Sequence, residues 1–195
     1  GGGGGGIILQ HSNATLSNIT ISGNTTNAVG GGMVIFDSVN PTLSKVLIFN
    51  NIAGTYGGGI LLQDCNANLS NLTISGNSSS DDGGGLFSYA SNLTLVNSII
   101  FDNQFYVEST EGNAIYLHNN NLEDGVDGDS NIGIWEENIS ADPLFVDPEN
   151  EDFSLQEDSP CIDAGTTDID NDGMIDIFDY SGSAPDMGAI EFEST

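Results

Sequence analysis

Positive charge is almost missing from this chain of 195 residues: Lys45 is its single lysine, there is no arginine, and 29 acidic residues bring the formal net charge to −28 with its two histidines neutral. Nucleic acids and anionic membranes are bound through Lys and Arg, so both are excluded as partners. The same surplus attracts divalent cations and suits a salty medium. Cysteine is nearly absent too. Cys65 and Cys161 either pair or stay as buried thiols, and two distant thiols give no framework signature, which makes free thiols the plainer reading. No apolar run is long enough to cross a bilayer, so no membrane insertion is expected. There is no signal segment and no initiating Met. The chain opens on six glycines and reads as a piece of a longer protein, with further repeats expected upstream.

Glycine is present in excess, and it is ordered. Triplets begin at Gly4, Gly30, Gly57 and Gly83, in steps of 26, 27 and 26 residues. They are contiguous and no Lys follows them directly, so neither a phosphate loop nor a dinucleotide fingerprint fits. After each triplet come alternate apolar positions, such as Met33 with Ile35 and Ile60 with Leu62. A leucine follows at Leu16, Leu43, Leu69 and Leu95, then a second alternating pair such as Val46 with Ile48, and an asparagine closes each unit at Asn24, Asn51, Asn77 and Asn103. A fifth, degenerate start is read in "GNAIYL", Gly112–Leu117.

Self-similarity at a fixed period marks a solenoid, and the local period of two with Ile, Leu, Val and Thr marks strands. Three short strands per unit describe one coil of an all-β, right-handed parallel β-helix, with equivalent residues stacked roughly 4.8 Å apart. The triplet is predicted at a corner that needs φ > 0 and close approach between coils. The asparagines are predicted to form an amide ladder. Like charges stacked one coil apart repel, so charge is expected to be excluded from the columns. Only Asp37, Asp64, Asp81 and Asp82 are acidic before residue 100. A leucine-rich horseshoe fits less well, because helix-period patterning is missing. Coils are therefore assigned to residues 1–118 and an irregular acidic C-terminal cap to residues 119–195. Trp135, Leu144, Phe145, Val146, Phe153, Leu155 and Ile162 are expected to cover the last coil.

Three ordered motifs in this end segment carry a resemblance: "DPLFVDP" (Asp142–Pro148), "SPCIDAG" (Ser159–Gly165) and "DMGAIEF" (Asp186–Phe192). Together with the repeats, they resemble secreted bacterial β-helix proteins of the choice-of-anchor Q type, within the pectate-lyase-like fold. The resemblance implies export and an extracellular or cell-surface setting. It brings no catalytic residues.

"DIDNDGMIDIFD", Asp168–Asp179, is the sharpest local signal. Asp168, Asp170, Asp172, Asp176 and Asp179 fall at loop positions 1, 3, 5, 9 and 12, and Gly173 holds the sharp turn at position 6. With the Met174 carbonyl at position 7, the spacing wraps one Ca²⁺ in oxygens. Ile175 takes the apolar position 8. The final Asp, where a helix-loop-helix hand has Glu, resembles dockerin-type loops. The choice-of-anchor segment more often carries a shorter Asp-Gly loop followed by a basic residue, and the departure here favours a cation. The plainer alternative is a solvated acidic turn.

Polysaccharide lyases of this fold resemble one another in using Arg or Lys beside a uronate, and a chain without Arg is not expected to hold such a site. Hydrolases need two carboxylates about 5–9.5 Å apart. Asp64, Asp81 and Asp82 are the candidates, with exposed turn aspartates as the plainer reading. His11 and His118 are read at loosely similar coil positions, without metal partners. Thr20 and Thr73 share a column that Leu47 and Ile99 interrupt, which argues against an ice-binding face. Asn18-Ile-Thr and Asn71-Leu-Thr match the glycosylation pattern, but strand Thr beside turn Asn explains them more simply.

The sequence thus points to a non-catalytic structural or binding module of a secreted, cell-surface β-helix. It is read as adhesive or glycan-binding, Ca²⁺-stabilised and monomeric, with extracellular polysaccharide or cell-surface glycan as its partner. The alternative is the end of a polysaccharide lyase or glycoside hydrolase whose catalytic coils lie upstream.

Overall fold

The computed structural model describes residues 3–108, 113–129 and 132–193, and the side chains of 129–136 lie outside that description. The repeats wind as a parallel β-solenoid. Its first sheet stacks six strands: Ile7–Gln10, Met33–Phe36, Ile60–Gln63, Leu86–Tyr89, Phe105–Glu108 and Asp127–Asp129. The second sheet stacks Thr15–Ser22, Thr42–Phe49 and Asn66–Ser75, then continues through paired shorter strands. Thr25–Thr26, Ile52–Ala53 and Ser78–Ser79 form a small third sheet.

Register follows the repeat. Ile7, Met33, Ile60, Leu86 and Phe105 stack as one column, and Leu16, Leu43, Leu69, Leu95 and Leu117 as another. Alternate residues point inward, so Met33, Ile35, Leu43, Ile48, Ile60, Leu62, Leu72, Ile74 and Leu86 are fully buried in one continuous core. Burying a Leu or Ile side chain is worth about 1.5–3 kcal/mol, and no single coil could bury both sides of its own residues.

The glycine triplets sit where expected. Gly57 has φ +66°, and a Cβ on Gly58 would run into the carbonyl oxygens of Gly84 and Ser78 in the next coil. The amide ladder is also present. Nδ2 of Asn24 donates to Asn51 Oδ1 at 2.9 Å, Asn51 to Asn77 at 2.9 Å, and Asn77 to Asn103 at 3.2 Å. Each rung also satisfies backbone groups: Asn77 Nδ2 donates to Ile48 O and Ser75 O at 3.0 and 3.1 Å.

Two further left-handed corners carry little glycine. His11, Asp37, Asp64 and Ala90 form one, with φ near +49°, and Asn18, Lys45, Asn71, Asn97 and Asn119 form the other, with φ of +49° to +54°. Asn and Asp reach this region at lower cost than most residues. The first of these corners corrects the expected exclusion of charge, since Asp37 and Asp64 directly follow the paired residues Phe36 and Gln63. Both are exposed, and solvent screening makes that tolerable.

The degenerate fifth start is also misplaced in the sequence reading. Gly112 lies outside the described residues, and Ile115–His118 pairs with Leu93–Val96 in the second sheet, not with Leu86 in the first. The first-sheet strand of that coil is Phe105–Glu108, which lacks a preceding triplet altogether. His118 therefore stacks on Val96, and it does not share a column with His11.

Winding continues past residue 118, through Asp127–Asp129 and Ile132–Glu136. Val126 packs against the coil core, and beyond Ile139 the described tail takes another course. It folds back along the outer flank of the second sheet. A hairpin of Phe145–Asp147 with Asp152–Leu155 sets Phe145, Phe153 and Leu155 against Phe49 and Ile99 in a second core, joined by Cys161 and Met187. Trp135 belongs to the side chains outside the description. The left-handed Asn corner stitches the tail down: Asn119 Nδ2 donates to Ala164 O at 2.9 Å, Asn97 Nδ2 to Thr166 O at 2.8 Å, and Asn71 Nδ2 to Asp186 O at 3.3 Å. Asn71 is buried by this contact and closed to glycosylation. Thr73 is covered as well, accepting from Ala189 N at 2.9 Å. Among the described residues, no helix is long and apolar enough to cross a membrane.

Cys65 lies in the coil core and Cys161 in the tail core, each a free buried thiol. Burial pushes both thiols above the ordinary cysteine value.

Candidate metal centre

Thr166 and Thr167 pin the acidic loop to the solenoid and close its neck. Thr166 N donates to Asn97 Oδ1 at 2.8 Å, and Thr167 O receives the amides of Asp176 and Ile177 at 2.8 and 3.1 Å. Within the neck the Asp168 carboxylate accepts from Asp172 N at 3.1 Å and Gly173 N at 2.8 Å. Asp176 Oδ2 accepts from Ile169 N at 2.8 Å. Gly173 turns the chain at φ +87°, in the place the loop spacing demanded.

The result gathers Asp168, Asp170 and Asp176, each with a carboxylate oxygen within 4.8 Å of the others. Ca²⁺ takes oxygen ligands at about 2.3–2.6 Å, so ligand atoms across one ion stand up to roughly 5 Å apart, and this spacing is compatible. Two other predicted ligands, Asp172 and Asp179, have carboxylate oxygens engaged elsewhere. Asp172 Oδ1 accepts from Met174 N at 2.8 Å, and Asp179 Oδ2 lies 3.3 Å from Lys45 Nζ. The side chains of Met174 and Ile175 are exposed.

The loop forms one wall of an open groove of about 590 Å³. The facing wall is the outer surface of the second sheet, where Thr42, Asn68, Thr94 and Tyr116 stack as one column.

Sequence reasoning missed a second set of acids. Asp163 Oδ1 accepts from Ser183 N and Ala184 N at 2.7 and 3.0 Å, and Asp186 accepts from Asp163 N and Phe192 N at 2.8 and 2.6 Å. Glu191 accepts from Asp186 N and Ser181 N at 3.2 and 3.4 Å. These acids lock "SPCIDAG" to "DMGAIEF" and hold the two ends of the acidic loop together. Their signal was the position of each acid inside a motif. Burial pushes the Asp186 and Glu191 carboxyls up, whereas backbone amides hold Asp163 down.

The hydrolase candidates are not gathered into one cluster. Asp64 follows the strand Ile60–Gln63, whereas Asp81 and Asp82 precede the triplet that leads into Leu86–Tyr89, so they sit at opposite ends of the first sheet.

Residues 1–138 match the family described as "Right handed beta helix region". No curated protein and no solved structure matches the chain.

Proposed function

The chain belongs to the right-handed β-helix family, and from that premise we propose that it is a non-catalytic structural and binding module of a secreted, cell-surface protein. It binds glycan and is stiffened by Ca²⁺ at Asp168, Asp170 and Asp176. One observation carries the reading. The only Lys or Arg in the chain, Lys45, is engaged by the tail through Asp179 at 3.3 Å, so the one group of the kind that lyases of this fold use beside a uronate makes a contact with the tail. The acidic loop supports the calcium assignment, because hard oxygen donors suit Ca²⁺ and its neck is fixed by backbone bonds. The resemblance of the three closing motifs supports secretion.

The test has two arms. Melting with Ca²⁺ should occur at a higher temperature than melting in EDTA, because a ligand that binds only the folded state stabilises it. Equal melting temperatures would remove the ion from the proposal. Incubation with pectin, alginate and related glycans should release no reducing ends. Release by the purified chain, lost in Asp82→Asn, would make the module an enzyme.

A further inference from the structure

We propose that the groove between the second sheet and the acidic loop is a saccharide subsite that takes a neutral glycan chain laid along the solenoid axis. This rests on the glycan-binding reading above and names where, and for what class of sugar, that binding occurs. The sheet wall carries the argument. Thr42, Asn68, Thr94 and Tyr116 occupy one register column, so the wall offers a hydroxyl, an amide, a hydroxyl and an aromatic ring, one per coil. At roughly 4.8 Å per coil, the column spans about 14 Å. Such a wall suits a polymer that repeats its hydroxyls along its length. Asn68 and Tyr116 are exposed, Tyr116 by 42%. The volume of about 590 Å³ falls within the roughly 300–1,000 Å³ usual for small-ligand sites.

Selectivity comes from the facing wall. Asp168, Asp170 and Asp176 present carboxylates, which accept hydrogen bonds and donate none when ionised. Thr and Asn both donate and accept. Sugar hydroxyls satisfy both walls, because each can donate to a carboxylate while accepting from Thr or Asn. In the calcium-free chain a uronate or sulfate cannot, since no Lys or Arg lines the groove and the anion would face the like charge of three carboxylates. Ca²⁺ bound there would reverse that field, so the neutral preference belongs to the ion-free groove. Tyr116 supplies an apolar platform for the C–H face of a pyranose ring at one end of the column.

The test is titration of the whole chain in EDTA, followed by amide chemical shifts, with cello-, manno- and xylo-oligosaccharides and with oligogalacturonate. At least one neutral series should bind and shift the amides of Thr42 and Thr94. Tyr116→Ala and Asn68→Ala, both at exposed positions with no part in the core, should each weaken that binding tenfold or more while leaving the melting temperature in place. Oligogalacturonate binding as tightly as the neutral chains would overturn the proposal. Neutral binding that leaves the Thr42 and Thr94 amides unshifted, or that survives both substitutions, would overturn this groove while leaving the glycan reading standing. No binding by any of the four probes would overturn both.

Discussion

The Asp163 amide donates to Asp186 Oδ1 at 2.8 Å, while the Asp163 carboxylate turns away to receive Ser183 N and Ala184 N. The two acids touch through the backbone of one and the side chain of the other, yet their titrations move apart. Asp186 is 2% exposed, and that burial raises its pKa above the ordinary value despite two amide donors. Asp163 is held below its ordinary value by the amides of Ala184 and Ser183.

Opposite shifts give opposite pH signatures. Asp163 is depressed in the fold, so its stabilisation is present above the unfolded carboxyl pKa and lost as pH falls through the folded one. Asp186 is raised, so its contribution is full below the unfolded pKa and lost as pH rises through the folded one. The melting-temperature gap between the parent chain and Asp163→Asn should therefore shrink on acidification from neutrality. The gap to Asp186→Asn should widen over the same titration. Thermal melts from neutral to strongly acidic pH check both, and parallel gaps would mean that these carboxylates do not clamp the motifs.

The coil was legible because a solenoid writes its packing into a period. Stacking Ile60 on Met33 and Leu86 forces the same residue type every 26 or 27 positions, and no long-range guess is needed. The fifth coil escaped because Phe105 enters the first sheet without the glycine triplet used for alignment, and apolar alternation at Ile115 and Leu117 imitated a first-sheet strand. The tail's place was not legible at all. Leu47 and Ile99 looked like interruptions of a Thr column, when they are part of the outward face on which the tail packs. An outward apolar residue in one coil says that something covers it, but no local pattern says what. The acidic loop was half legible. Spacing found the oxygen donors, whereas the diversion of Asp179 depends on Lys45, 134 residues away in sequence.

That diversion sorts the ligands. Asp170→Asn should weaken Ca²⁺ binding roughly tenfold or more, because ligand charge count sets the affinity of such loops. Asp172→Asn and Asp179→Asn should change it by less than about threefold, since their carboxylates are turned to Met174 N and Lys45. Calorimetric titration of the three variants decides. Equal losses in all three would mean that the ion draws the full loop spacing around itself.

Two glycines should respond in contrasting ways. Gly58→Ala drives a Cβ into the backbone oxygens of two residues, Gly84 and Ser78, and neither can rotate away. A cost above roughly 3 kcal/mol is expected, lowering the melting temperature by about 6–12 °C. Gly23 has φ +65° but nothing within 4 Å of an added Cβ, and Asn50 adopts the same conformation one coil on. Gly23→Asn should therefore cost no more than about 1 kcal/mol, the left-handed strain that Asn bears better than most residues. A loss at Gly58 no larger than that at Gly23 would show that the neighbouring coils do not approach closely there.

The tail should come away before the coils do. Phe153 lies 4.9 Å from Phe49 and 5.2 Å from Phe145 between ring centroids, the latter edge to face, and it is almost fully buried. Phe153→Ala removes the ring that joins hairpin to flank, at a cost of about 3–5 kcal/mol. The coil interior shares no buried residue with that cluster, and its amide ladder and stacked aliphatics stay intact. Opening should then be local, because structure yields where its own contacts are fewest. Limited proteolysis of Phe153→Ala should cut within residues 142–193 while the strands up to Phe105–Glu108 resist. Asn97→Ala, which loses both bonds to Thr166, should show the same order of cleavage. Cuts appearing together in coil and tail would show that the flank contact is needed to hold the solenoid itself, because Phe49 and Ile99 could not then stay exposed on a folded sheet.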